Sequence, residues 1–229
     1  MGLTTEQRKI VDGVVAPIKA EAMRTDPIKQ EECIAAFNAA YAEKNLPAPE
    51  YVFCTSPWDA LQKVEARATT DNYSDILGEE TFLQLLDSED PAWDDPLYEA
   101  VSKRTEKMFM GFSALDNVVT SGVERYVAEH LNKWASSSLL YHGHNSSWGR
   151  IEGYAMSKAL EALGVMKQPR GYILDQIALA TCGPVHSFER CCFISERPES
   201  FHCPSLTKEG PRDRISAKWR DGFMFDDEY

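Results

Sequence analysis

At 229 residues, 43% of them hydrophobic, the chain is long enough for one sizeable core. Its formal net charge of -12 argues against direct nucleic-acid binding, which depends on Lys and Arg neutralising phosphates. The opening MGLTTEQRKIVDG lacks the apolar run of a secretory signal, and no stretch approaches the roughly 20 apolar residues of a membrane span. The six cysteines (Cys33, Cys54, Cys182, Cys191, Cys192, Cys203) do not make a secreted disulfide framework. A cytoplasmic protein with reduced thiols is expected, its residues 1–229 forming a single domain.

Thr4 and Gln7 have the spacing of a capping box, and Ile10, Val11, Val14 and Ile18 then share one helical face. Pro17 should kink or shorten that helix. Asp26-Pro27 reads as the cap and first residue of a second helix, with Cys33, Ile34, Phe37 and Tyr41 spaced three and four apart. Leu46-Pro47-Ala48-Pro49 ends it. Glu50 to Cys54 (EYVFC) is a strand candidate, and Ser56-Pro57-Trp58-Asp59 starts the next helix with Ser56 as cap and Pro57 at the first position. Leu61, Val64 and Ala68 would face inward from this small αβ unit.

From Asp71 to Glu99 the segment holds ten carboxylates and no Lys or Arg. It reads as an acidic insertion, a solvated face first and a surface for a basic partner second. Leu115, Val118, Val119, Gly122, Val123, Tyr126, Val127, His130, Leu131 and Trp134 keep a 3.6-residue period and predict a central helix. The loop Leu139 to Ser147 follows. A further helix places Trp148, Ile151, Tyr154, Ala155, Ala159, Ala162 and Leu163 inward, with Gly164 as its stop. Another helix is predicted near Tyr172 to Thr181.

Residues 186–225 then change to a β pattern. Ile215, Ala217 and Trp219 alternate with Arg214, Ser216, Lys218 and Arg220, and Asp221-Gly222 predicts a type I′ hairpin turn. The hairpin has one apolar and one basic face. The expected fold is therefore α+β: a mainly helical body closed by a small C-terminal antiparallel β-sheet or hairpin.

Three segments occur in a recognisable order: NLPAPEYVFCTSPWDAL (Asn45 to Leu61), CCFISERPESFHC (Cys191 to Cys203) and EGPRDRISAKWRDGF (Glu209 to Phe223). Together they resemble an uncharacterised bacterial family of unknown function, and a bacterial or phage protein is expected. Its members carry "GLPPP…SP", "SERP" and a C-terminal "GPA…RDGW" hairpin. The resemblance spans nearly the whole chain, with a longer and more acidic region from Asp71 to about Phe112. Arg212 replaces the Ala of "GPA", Phe223 replaces the Trp after "RDG", and Phe225-Asp226-Asp227-Glu228-Tyr229 stands where members continue through an aromatic-His-Gly extension. The resemblance implies a fold and carries no activity.

Ser195-Glu196-Arg197-Pro198 is the most pointed polar cluster. Pro198 holds Arg197 extended. Arg197 has the donors to grip a carboxylate or phosphate, and Glu196 to act as acid or base, with His202 nearby in sequence. The plainer alternative is a strand-end ion pair. His142 and His144, in a polar loop before a helix, are further candidates for a ligand. Cys182, His186, Cys191, Cys192, His202 and Cys203 fall within 22 residues, but without a CxxC knuckle. Cys191 and Cys192 would point to opposite faces of a strand, so no metal and no cofactor is expected. No GxSxG, P-loop or GxGxxG motif is present.

The leading expectation is a non-catalytic interaction or regulatory module with a protein partner, a basic one among the candidates. One alternative is an enzyme or small-molecule binder with a pocket between hairpin and helices. Another is an acidic antagonist that mimics nucleic acid through the acidic segment.

Overall fold

The computed structural model describes residues 2–43, 45–67, 97–109, 147–166, 180, 183, 185–202 and 216–226. The predicted helices at Leu115–Trp134 and most of Tyr172–Thr181 lie outside the described residues. So do most of the acidic segment, the loop with His142 and His144, Arg214, and Cys182 and Cys203.

Helix α1 (Thr5–Ala22) opens on the predicted capping box. Thr4 Oγ1 accepts from the Gln7 amide at 3.2 Å while Gln7 Oε1 accepts from the Thr4 amide at 2.9 Å. Of the two expected effects of Pro17, shortening does not occur: the helix runs through it to Ala22. Pro17 is exposed, and an interior proline costs about 3 kcal/mol. Val11, Val15 and Ala22 are buried on the packed face of the same helix. Side chains of this kind return roughly 1.5–3 kcal/mol apiece for the larger ones, enough to carry the helix through.

Helix α2 (Gln30–Glu43) begins later than Asp26-Pro27 suggested. The Cys33 amide bonds the Lys29 carbonyl at 3.1 Å, so Lys29 stands at the cap. The Asp26 carboxylate is taken by arginines instead. Cys33, Phe37, Ala40 and Tyr41 are buried along one face. Past the helix end, Asn45 adopts φ 57°, and the Leu46 amide returns to the Tyr41 carbonyl at 2.9 Å.

Strand β1 (Glu50–Cys54) and helix α3 (Pro57–Arg67) fall where predicted. The Asp59 amide donates to Ser56 Oγ at 3.2 Å, which caps α3. Helix α4 covers 97–109, with Val101, Thr105 and Phe109 buried. Arg104 ties it to α1 through two 2.7 Å bonds to Asp12, and the Lys19 ammonium caps the Met108 carbonyl. Helix α5 (Ser147–Ala162) packs along α1 through Ile151, Ala155, Ala159 and Leu160. Ala162 was expected inward and is exposed. Leu160 takes the core position. Gly164, at φ 75°, ends α5 in a Schellman motif, with the Val165 amide on the Leu160 carbonyl at 3.0 Å.

The central sheet has the order β1-β3-β2, with β2 at Val185–Ser187 and β3 at Cys191–Ser195. β1 runs parallel to β3 from Glu50↔Cys191 to Cys54↔Ser195, and β2 runs antiparallel to it. Every residue of β3 is buried because helices cover both faces. α2 covers Cys192, Ile194 and Val185. α1, α3, α4 and α5 gather on the other side with Cys54, Cys191 and Phe193.

The second sheet is antiparallel, in the order β4 (Ser200–His202), β5 (Ser216–Lys218), β6 (Met224–Asp226). Its Ala217, Trp219 and Phe225 join the helical core. The small C-terminal sheet thus completes an α+β fold. The hairpin turn differs from the predicted type I′. Among the described non-glycine residues only Asn45 has positive φ, so Asp221 does not. Lys218 pairs with Met224, the Gly222 amide bonds the Trp219 carbonyl at 3.0 Å, and Gly222 has φ 89°. This is a three-residue loop, Arg220 to Gly222, with glycine alone in the left-handed region.

Candidate functional site

The polar cluster of the sequence sits at the carboxyl end of β3. Glu196 joins three parts of the fold at once. Its amide donates to the Cys54 carbonyl at 2.8 Å, continuing the pairing with β1. Its carbonyl accepts the Trp219 indole N–H at 2.8 Å. Its carboxylate Oε2 accepts the Ile28 amide at 3.1 Å, fixing the link between α1 and α2.

Arg197 turns inward, its side chain 3% exposed. Nη1 lies 3.4 Å from Asp26 Oδ2, and Nη2 lies 3.4 Å from the Ala180 carbonyl and 3.8 Å from Glu21 Oε1. Arg24 clasps the same two carboxylates, with Nε donating to Asp26 Oδ1 at 2.7 Å. The hydrogen bond from Arg24, with the charge of Arg197 added, brings the Asp26 carboxyl down to about 2 against the opposing effect of burial. Arg220 of the hairpin donates to the Thr25 carbonyl and, at 3.4 Å, to the Arg197 carbonyl. Asp26 and Glu21 are partners that the sequence did not announce, because Asp26 before Pro27 has the look of a helix cap.

His202 is placed differently. It is exposed on β4, in register with Ser216, whereas Arg197 is buried. The two therefore present no common surface. Where the hairpin meets the helices, Trp219 is fully buried and Phe225 is buried beside it. The Trp219 and Phe225 rings meet edge to face at 6.0 Å.

The thiols divide as the strand period requires. Cys191 and Cys192 belong to opposite faces of the central sheet. Cys191 lies 3.6 Å from Arg67 Nη1, and that guanidinium also stands over the Phe193 ring and bonds Glu50 at 2.7 and 2.8 Å. Cys192 Sγ is 3.5 Å from Ser187 Oγ. Burial pushes the Cys191 thiol up to about 11 and the Cys54 thiol to about 12, and raises Cys192 as well. Thiols held protonated in this way are poor nucleophiles and poor ligands at neutral pH. Among the described residues no group of three or more His, Cys, Asp or Glu is placed to hold a metal ion.

At the carboxyl ends of β1 and β3 a second polar group forms around the start of α3. The Thr55 hydroxyl donates to Asp221 Oδ2 at 2.9 Å, and its amide donates to Asp59 Oδ2 at 2.9 Å. Lys63 Nζ bonds Asp59 at 2.7 Å and the Phe53 carbonyl at 3.0 Å. Trp58 stacks on Phe223 with centroids 5.6 Å apart. Ser195, fully buried, has no hydrogen-bond partner for its hydroxyl among the described residues. It shares the face of Cys191 and Phe193, the face on which Arg67 of α3 rests.

No family model matches the chain, and no curated protein or solved structure matches it.

Proposed function

We propose that this protein is a non-catalytic interaction or regulatory module whose acidic lobe meets a basic protein partner. The observation that carries this reading is the commitment of its best polar candidates to internal contacts. The Glu196 carboxylate serves the Ile28 amide, and Arg197 is buried against Asp26 and Glu21. Both act as braces between β3, the α1–α2 link and the hairpin. The buried thiols, pushed upward by desolvation, suit the same reading. The kind of partner follows from charge: ten carboxylates without one Lys or Arg from Asp71 to Glu99 favour a cationic surface. The buried thiols of the described residues fit a cytoplasmic setting. Among the described residues no helix is long and apolar enough to cross a membrane.

The test compares the full chain with a variant whose carboxylates from Asp71 to Glu99 are replaced by Asn and Gln. Each is used to capture proteins from the native host at low and moderate salt. A partner that binds the first, is lost with the second and weakens as salt rises supports the proposal. A nucleic-acid-binding partner displaced by DNA or RNA would make the module a mimic of nucleic acid. An unchanged set of partners, or a metabolite that stabilises the full chain but not Arg197→Ala, would overturn the proposal in favour of a small-molecule site.

A further inference from the structure

We draw no further inference here: the strongest candidate, the side-chain cluster around the start of α3 at the carboxyl ends of β1 and β3, has its Thr55 amide and hydroxyl taken by the chain's own Asp59 and Asp221 carboxylates, and no observation there points to a ligand.

Discussion

Arg197 carries a full charge into a place where only 3% of its side chain meets water, and its carboxylate contacts are long, at 3.4 and 3.8 Å. The desolvation of a buried ion is offset here by the Ala180 carbonyl and by two carboxylates that stay partly hydrated, Asp26 being 47% exposed. Truncation removes packed methylenes and takes one of two guanidinium groups away from Glu21 and Asp26, which keep Arg24. Arg197→Ala is therefore expected to lower the unfolding free energy by about 2–4 kcal/mol, and Arg197→Met, which keeps the volume without the charge, by less than about 1 kcal/mol. Urea unfolding of both variants measures the difference. Equal losses would mean that the charge itself, and not the packing, holds the site. Ser195 poses the opposite case, since its buried hydroxyl has no partner among the described residues. Ser195→Ala is expected to be neutral or to stabilise by up to about 1 kcal/mol, because a dry, unpaired hydroxyl is a cost. A clear loss of stability in the same titration would reveal an ordered partner for that oxygen.

Between elements, the hairpin is the joint that closes the molecule. Trp219 sits in the core and donates to the Glu196 carbonyl, Arg220 reaches the Thr25 carbonyl, and Asp221 receives the Thr55 hydroxyl. The turn that aims these three consecutive side chains needs left-handed backbone at Gly222 alone. A Cβ there meets nothing within 4 Å, so any penalty for alanine is conformational and not steric. Gly222→Ala is expected to cost roughly 1 kcal/mol in thermal unfolding, with the spectrum of the folded protein unchanged. Trp219→Phe should cost more, about 1–3 kcal/mol, since it keeps most of the ring but strands the Glu196 carbonyl. A Trp219→Phe protein as stable as the parent would remove the indole hydrogen bond from the account of how the hairpin is held.

For the whole molecule, the central sheet separates two apolar clusters, and the four described thiols are divided between them. With Cys191 pushed up to about 11 and Cys54 to about 12, the thiolate needed for alkylation is scarce near pH 7.5. Iodoacetamide added to the folded protein is expected to leave Cys33, Cys54, Cys191 and Cys192 unmodified by peptide mass spectrometry. All four should label after unfolding in guanidinium. The sign of the pH dependence follows from the raised folded values. The protonated thiols favour the folded state fully below the ordinary thiol range near 9, and that contribution fades as pH rises through 11 to 12. Fast labelling of Cys54 or Cys191 in the native protein at pH 7.5 would contradict the burial described for them.

What the sequence determined by itself was local. The Thr4–Gln7 capping box, the Ser56 cap with Pro57 behind it, the EYVFC strand and the Gly164 stop all depend on groups within about five residues of one another. Their chemistry is complete in a short stretch of chain. The β period likewise foretold that Cys191 and Cys192 would part. Tertiary structure decided the remainder. It added Arg197, 171 residues away, to the Arg24 that already holds Asp26, because a guanidinium buried away from water needs a carboxylate beside it. It joined β1 to β3 in parallel across most of the chain, and it set the hairpin as a three-residue loop to suit the docking of Trp219 and Asp221. It also buried Arg197 and left His202 on an outer strand, a separation that neighbouring positions in sequence cannot express. Side-chain surroundings depend on which distant elements share a face, and that is settled only when the apolar clusters close.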